Sequence, residues 1–319
     1  MKINANHCKK TLSEFTFFIL TFTLLSPIHS TLQATSISEN FPDFFDATLD
    51  NNKLFNKSFA QNNPSWVLAR DLYDTCLRQS TDSKLTQRIP QTFHLIWIGK
   101  QVPDYYVKLI DQIKKLHPTY TVKLWTDKDI STYPFSNKKA FDAATNYAEK
   151  ADIWRYEILY KEGGIYIDGD YLFLKPIDDL VYMTDFFTAI SQDTELTLGN
   201  FIIGAIPAHP ILKHCIDEIT ISNGNNNPEN IMHRSGPYHF TRCFLKSAHD
   251  GNFINVAFPP SFFNPWPHYF SSIKEPTAIK NSIKPYSRAI HLWAVTWQQS
   301  NLWAVDWLKT NQEELLSNL

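Results

Sequence analysis

The chain has 319 residues, 43% of them apolar and 19% charged, with a net charge of −2. That length supports one large globular domain or two small ones with a sizeable core. The 30 Lys and Arg form no long run. A near-neutral surface gives no general pull towards nucleic acid, so no nucleic-acid partner is expected.

Lys9 and Lys10 precede the apolar stretch from Phe15 to Leu25. That stretch is shorter than the roughly 20 residues of a membrane span and fits the core of an export signal. Residues 1–34 are therefore expected to be a signal peptide or an uncleaved signal anchor. The protein would be exported, either secreted or held at a membrane through this apolar segment. Four widely spaced cysteines, Cys8, Cys76, Cys215 and Cys243, make no disulfide framework. The lack of a Cys-x-x-Cys argues against a structural zinc site.

Residues 35–88 read as a helical N-terminal extension that packs on the main domain, with one helix from Ser65 to Gln79. The main domain starts near Ile89-Pro90. The apolar run Phe93 to Ile98 ends in Gly99 and predicts a buried strand. Tyr106, Leu109, Ile110, Ile113 and Leu116 recur at helical spacing until Pro118. Tyr120, Val122 and Leu124 then alternate as in a strand. This βαβ unit points to a parallel α/β sheet. Ala148 to Lys161 reads as a helix closed by Gly163-Gly164. A strand Ile165-Ile167 follows, and then a second from Tyr171 to Leu174. Pro210 to Thr220 reads as a helix, Gly224 to Asn230 as a polar loop, and Pro259 to Pro267 as irregular. Leu292-Trp293-Ala294-Val295-Thr296-Trp297 is echoed at Leu302 to Trp307. The second copy is expected in a C-terminal helix over residues 300–319.

Asp168-Gly169-Asp170 follows the strand Ile165-Ile167, and ligands gather at the carboxyl ends of strands in open α/β sheets. Alternating residues of an extended segment point the same way. Two carboxylates there suit a hard divalent cation that grips phosphate, and Gly169 would let a ligand approach the backbone. Asp152 and Arg155 lie three apart and share a helix face. They read either as a surface ion pair of little energetic weight or as an acceptor and a donor fork for a sugar.

The run Ala151-Asp152-x-x-Arg155-Tyr156-x-x-Leu159-Tyr160-x-x-Gly163-Gly164-x-Tyr166-x-Asp168-x-Asp170 resembles the signature of the family 32 glycosyltransferases. These are related to the fungal initiating α-1,6-mannosyltransferase and share this core with the large clostridial glucosylating toxins. Other blocks are similar too: Ile89-Pro90 with His94 and Ile96 to Gly99, Leu124 to Asp127, Asn200 with Ile202 to Gly204, His209-Pro210, Ser235-Gly236-Pro237, and His291 with Thr296-Trp297. The resemblance implies an α/β fold of the GT-A type, a Rossmann-like nucleotide-sugar-binding domain over residues 89–299, with added helices at both ends. It implies a retaining hexosyltransferase. The donor would be a nucleotide-diphosphate sugar, a UDP-sugar in the first place and GDP-mannose as the alternative. The acceptor would be a glycan, glycolipid or protein hydroxyl.

The resemblance also implies roles. Asp170 ligates the cation, Mn²⁺ ahead of Mg²⁺, with Asp168 helping and holding the donor ribose. Asp152 and Arg155 bind the sugar, and Trp97 stacks on the base. Asn200 lies beside the transferred sugar or the acceptor, His291 completes the metal site or contacts the diphosphate, and Trp297 covers the diphosphate. Asp168, Asp170 and Arg155 carry the catalysis. Tyr166 is expected to serve packing and His94 strand hydrogen bonding. Two rivals remain: an Asp-dependent phosphohydrolase, against which Leu172 stands where that class has Thr or Val, and a non-catalytic sugar-nucleotide or glycan-binding protein.

Overall fold

A computed structural model describes residues 40–49, 55–80, 86–191, 195–221, 227–266 and 276–293. The expected signal segment, Thr296, Trp297 and the C-terminal helix lie outside these residues. The described residues belong to one unit, Ser36–Leu319.

In chain order the elements are α1 (Phe44–Leu49), α2 (Lys57–Asn62), α3 (Pro64–Ser80), β1 (Thr92–Trp97), α4 (Asp104–Leu116), β2 (Thr121–Thr126), α5 (Asp127–Ile130), α6 (Lys138–Ala143), α7 (Tyr147–Glu162), β3 (Gly164–Ile167) and β4 (Tyr171–Phe173). They continue as α8 (Asp178–Met183), β5 (Phe186–Ile190), β6 (Leu198–Ala205), α9 (Pro210–Asp217), α10 (Pro228–Arg234), α11 (Pro237–Ser247), β7 (Asn255–Phe258), α12 (Pro260–Phe263), α13 (Pro276–Ser282) and β8 (Ala289–His291).

Six strands form a sheet in the order β2-β1-β3-β6-β5-β7. β1 runs parallel to β2 and to β3, so the predicted βαβ entry is present. The sheet is mixed, however, and not parallel throughout: β6 runs antiparallel to both β3 and β5. The inner strands are apolar and buried along their whole length, as befits strands covered on both faces. β2 lies at the edge and alternates half-buried Val122 and Leu124 with exposed Thr121 and Lys123. β4 leaves the main sheet and pairs antiparallel with β8 in a separate two-stranded ribbon.

The N-terminal helices lie on this frame. α3 packs against β7, with Trp66 and Tyr73 buried. Cys76 Sγ donates to the Met183 carbonyl, and Ser261 Oγ donates to Ala47 O at 2.7 Å. Two irregular regions are more ordered than their sequence suggested. Asn227 caps α10 through its side chain, with Pro228 in the first turn, where its missing N–H costs nothing. That converts the end of the expected polar loop into helix. Pro260 likewise starts the short α12 inside the proline-aromatic stretch. No helix among the described residues is long and apolar enough to cross a membrane.

Candidate donor and metal site

α7 carries most of the chemistry. Asn146 caps it, accepting from Ala148 N at 2.7 Å. Gly163 ends it with φ 64°, a conformation in which a β-carbon is strained. Unlike a surface helix, α7 is buried on nearly every side, and its buried charged side chains are paired. Glu149 accepts a fork from Arg234 at 2.8 and 3.0 Å. Glu157 takes the backbone N–H groups of Ser136 and Asn137.

Asp152 and Arg155 are 7% and 5% exposed and lie 3.0 Å apart, so they are no surface pair. Asp152 Oδ1 also accepts from Asn200 Nδ2 at 2.8 Å, and Oδ2 accepts from Ser235 Oγ at 3.1 Å. Tyr156, one turn on, donates to the Ser235 carbonyl at 2.7 Å and accepts from Asn200 Nδ2 at 3.1 Å. Asp152, Asn200, Tyr156 and Ser235 thus close a ring of hydrogen bonds joining α7, β6 and the turn before α11. Burial pushes the Asp152 carboxyl up to about 6, against the pull of Arg155.

Arg155 is the hub. It donates to Asn200 O at 2.6 Å and to Ala151 O at 3.3 Å, and sits 3.4 Å from Asp168 Oδ1. Its guanidinium lies over the Tyr166 ring, 4.3 Å from the centroid. Tyr166 donates its hydroxyl to Asp168 Oδ1 at 2.7 Å. It therefore does more than the packing expected of it. The signal was available: residues 166 and 168 stand two apart on a strand and face the same way.

The two aspartates converge by a turn and not by an extended segment, because Gly169 and Asp170 form a turn after β3. The Asp168 amide donates to Phe201 O at 2.8 Å, and the Asp170 carbonyl accepts from Leu292 N at 3.0 Å. A β-carbon on Gly169 would stand 1.4 Å from the Tyr106 ring, so the glycine makes room for a buried tyrosine.

The β4–β8 ribbon sets Tyr171 opposite His291 and stacks their rings 4.7 Å apart. His291 Nε2 lies 3.1 Å from Asp170 Oδ1. Donor atoms of Asp168, Asp170 and His291 all fall within 4.8 Å of one another. Two carboxylates and an imidazole fit a divalent cation such as manganese or magnesium. Among the described residues, His291 Nδ1 is buried with no hydrogen-bond partner. Side-chain exposures of 32% at Asp168 and 13% at Asp170 leave the pair accessible from one side.

Trp97 ends β1, the neighbour of the edge strand β2, at the same carboxyl-terminal rim. It is half-buried, with its ring edge-on to Tyr106 at 4.9 Å and its indole N–H on the carbonyls of Lys100 and Gln101. Asp127, at the end of β2, accepts from Gly99 N at 2.9 Å. His94 lies apart from this rim, paired with Gly163 O at 3.0 Å and with the Trp125 indole at 3.1 Å. Burial pushes it down to about 4, so it is a neutral strand residue, as expected. Tyr106, Tyr156, Tyr166 and Ser235 are the site residues that the sequence did not single out for the pocket.

Residues 103–187 match the family model described as a glycosyltransferase sugar-binding region containing a DXD motif. Inositol phosphoceramide mannosyltransferase 3 of Schizosaccharomyces pombe is 30% identical over 139 residues, which is 42% of this chain and 38% of that protein. Mannosyl phosphorylinositol ceramide synthase CSH1 of Saccharomyces cerevisiae is 31% identical over 137 residues, 42% of this chain and 36% of the relative. Subversion of eukaryotic traffic protein A of Legionella pneumophila is 26% identical over 41% of this chain and 25% of its own length. The chain spans half or less of the curated fungal relatives it matches. Among solved structures, PaToxG glycosyltransferase superposes with a TM-score of 0.43 at 19% identity, covering 57% of this chain and 79% of that one.

Proposed function

We propose that this protein is a divalent-cation-dependent, retaining glycosyltransferase on a GT-A type scaffold, moving a hexose from a nucleotide-diphosphate sugar to a hydroxyl acceptor. The observation that carries the reading is that Asp168 and Asp170, inside the matched DXD region, converge with His291 within 4.8 Å. Asp170, with Asp168 and His291, would hold the cation, Mn²⁺ in the first place. A cation there would supply charge neutralisation to the departing diphosphate.

The chain's own residues do the rest. Arg155 fixes Asp152 and Asp168 in one orientation and contributes a positive charge on the water-poor side of the pocket. Asp152 faces the sugar hydroxyls, with Asn200 beside them. Trp97 would offer a ring to the base, and the family resemblance gives Trp297 the role of covering the diphosphate. In the reaction the bond from the anomeric carbon to the diphosphate oxygen breaks, and the acceptor oxygen bonds to that carbon on the same face. The acceptor proton passes to the departing phosphate oxygen, so no protein base is required. The site's carboxylates are all engaged by donors, which supports a positioning role over nucleophilic attack and disfavours a phosphohydrolase.

A UDP-sugar is the first donor reading. GDP-mannose is the second, favoured by the mannosyltransferase names of the fungal relatives. The same names favour a glycolipid among the glycan, glycolipid and protein acceptors. Residues 89–299 are taken as the catalytic domain and residues 1–34 as the segment that exports or anchors it. The test is a panel of nucleotide sugars incubated with the full chain, with and without Mn²⁺, and read out as free nucleotide. Mn²⁺-stimulated release from one donor supports the reading. Donor binding by calorimetry without release from any member of the panel would make the protein a sugar-nucleotide binder.

A further inference from the structure

Behind the donor pocket, on the far side of Tyr156, lies a second cluster that the proposed reaction does not use. Cys215 sits in the last turn of α9, and His239 and Cys243 lie four apart on one face of α11, which packs against α9. All three are buried: Cys215 is 0% exposed, and His239 and Cys243 are 1% exposed. Their donor atoms fall within 4.8 Å of one another. His239 Nε2 is 3.7 Å from Cys243 Sγ. Two ligands on one tetrahedral zinc, with bonds of about 2.0 and 2.3 Å, stand roughly 3.5 Å apart, so little movement is needed.

A fourth donor points into the same space. The Cys215 carbonyl lies at the end of α9, where a helix runs out of amide donors, and it faces His239 Nε2 at 2.9 Å. Two sulfurs, an imidazole nitrogen and a carbonyl oxygen form a donor set softer than the carboxylate site, and soft thiolate ligands select zinc over magnesium or manganese. The sequence hides the arrangement: 23 residues separate Cys215 from His239, so no Cys-x-x-Cys spacing announces it.

We propose that Cys215, His239 and Cys243 form a structural Zn²⁺ site that staples α9 to α11. Binding releases both thiol protons to solvent as two S–Zn bonds form. The neutral imidazole moves its proton from Nε2 to Nδ1 and gives up its hydrogen bond to the Cys215 carbonyl, which turns to the metal. The staple would hold α11 against Tyr156, whose ring lies 6.2 Å from that of His239 and whose hydroxyl belongs to the donor-pocket ring.

The test measures zinc in the full chain purified without chelator, by elemental mass spectrometry, beside Asp170→Ala, Cys215→Ser and Cys243→Ser. One equivalent of zinc in the wild type and in Asp170→Ala, lost in both serine variants, supports the site. Because a serine variant could fail to fold, the wild type is also stripped and reloaded with Co²⁺. A near-ultraviolet thiolate-to-cobalt band supports the proposal without any variant. Zinc at background in the wild type, zinc retained in both serine variants, a cobalt spectrum without the thiolate band, or a Cys215–Cys243 disulfide in the native chain would each overturn it.

Discussion

Tyr166 gives its hydroxyl proton to Asp168 Oδ1 at 2.7 Å while its ring carries the Arg155 guanidinium. One phenol thus orients both the first aspartate of the motif and its counter-ion. Tyr166→Phe removes the hydrogen bond and keeps the ring. It is expected to lower kcat/KM for nucleotide release about tenfold, equivalent to about 1.4 kcal/mol for one hydrogen bond to a charged group. The melting temperature should hardly move. An unchanged kcat/KM would sever Tyr166 from the site.

Arg155 is one cation shared by Asp152, Asp168 and the Asn200 carbonyl. A lysine has no planar fork to reach all three. Arg155→Lys leaves buried carboxylates without their partner, at a cost on the order of 3–5 kcal/mol. Thermal unfolding should show a lowered midpoint, and calorimetry should show no donor binding. If the variant melts and binds like the wild type, Arg155 is not the hub.

Gly169 is required by Tyr106, whose ring a β-carbon there would meet at 1.4 Å. Gly169→Ala pushes a side chain into a buried ring, and overpacking of this kind costs about 1–3 kcal/mol. The expected result is lower stability together with weaker activity, since the turn carries both aspartates. Tyr106→Ala should be destabilising alone yet relieve part of the Gly169→Ala loss in the double variant. Additive losses in that cycle would contradict the contact.

Asp152 sets a pH dependence in the metal-free protein. Its folded carboxyl lies at about 6 against an ordinary value of 3.8. Between those values the folded chain holds a proton that the unfolded chain has released. This residue's contribution to stability is therefore greatest at low pH and declines as pH rises through about 6, by on the order of 3 kcal/mol over the whole window. Urea unfolding at a series of pH values should show the decline, and Asp152→Asn should flatten it. A variant with the wild-type slope would assign the titration elsewhere.

Local patterns carried much of this site. The Gly-Gly stop marked the end of α7, the apolar run located β3, and the Asp-x-Asp turn fell where strand ends collect ligands. What local pattern could not supply was long-range pairing. His291 reaches Asp170 because β8 pairs with β4, and Ser235 reaches Asp152 because the turn before α11 folds back on α7. Nor could local pattern tell that β6 would enter the sheet reversed, since a fully buried strand reads the same in either direction. Tyr106 beneath Gly169 is of the same kind: the glycine was visible, but its partner came from another helix.

The central claim is that Asp170 belongs to a cation site that positions a leaving diphosphate. The most direct measurement is nucleotide release from the donor that the panel selects, with titrated Mn²⁺, by the wild type and Asp170→Ala. Release that rises with Mn²⁺ in the wild type and stays at background in a folded Asp170→Ala is the predicted result. Release that ignores both chelator and the substitution would contradict the account.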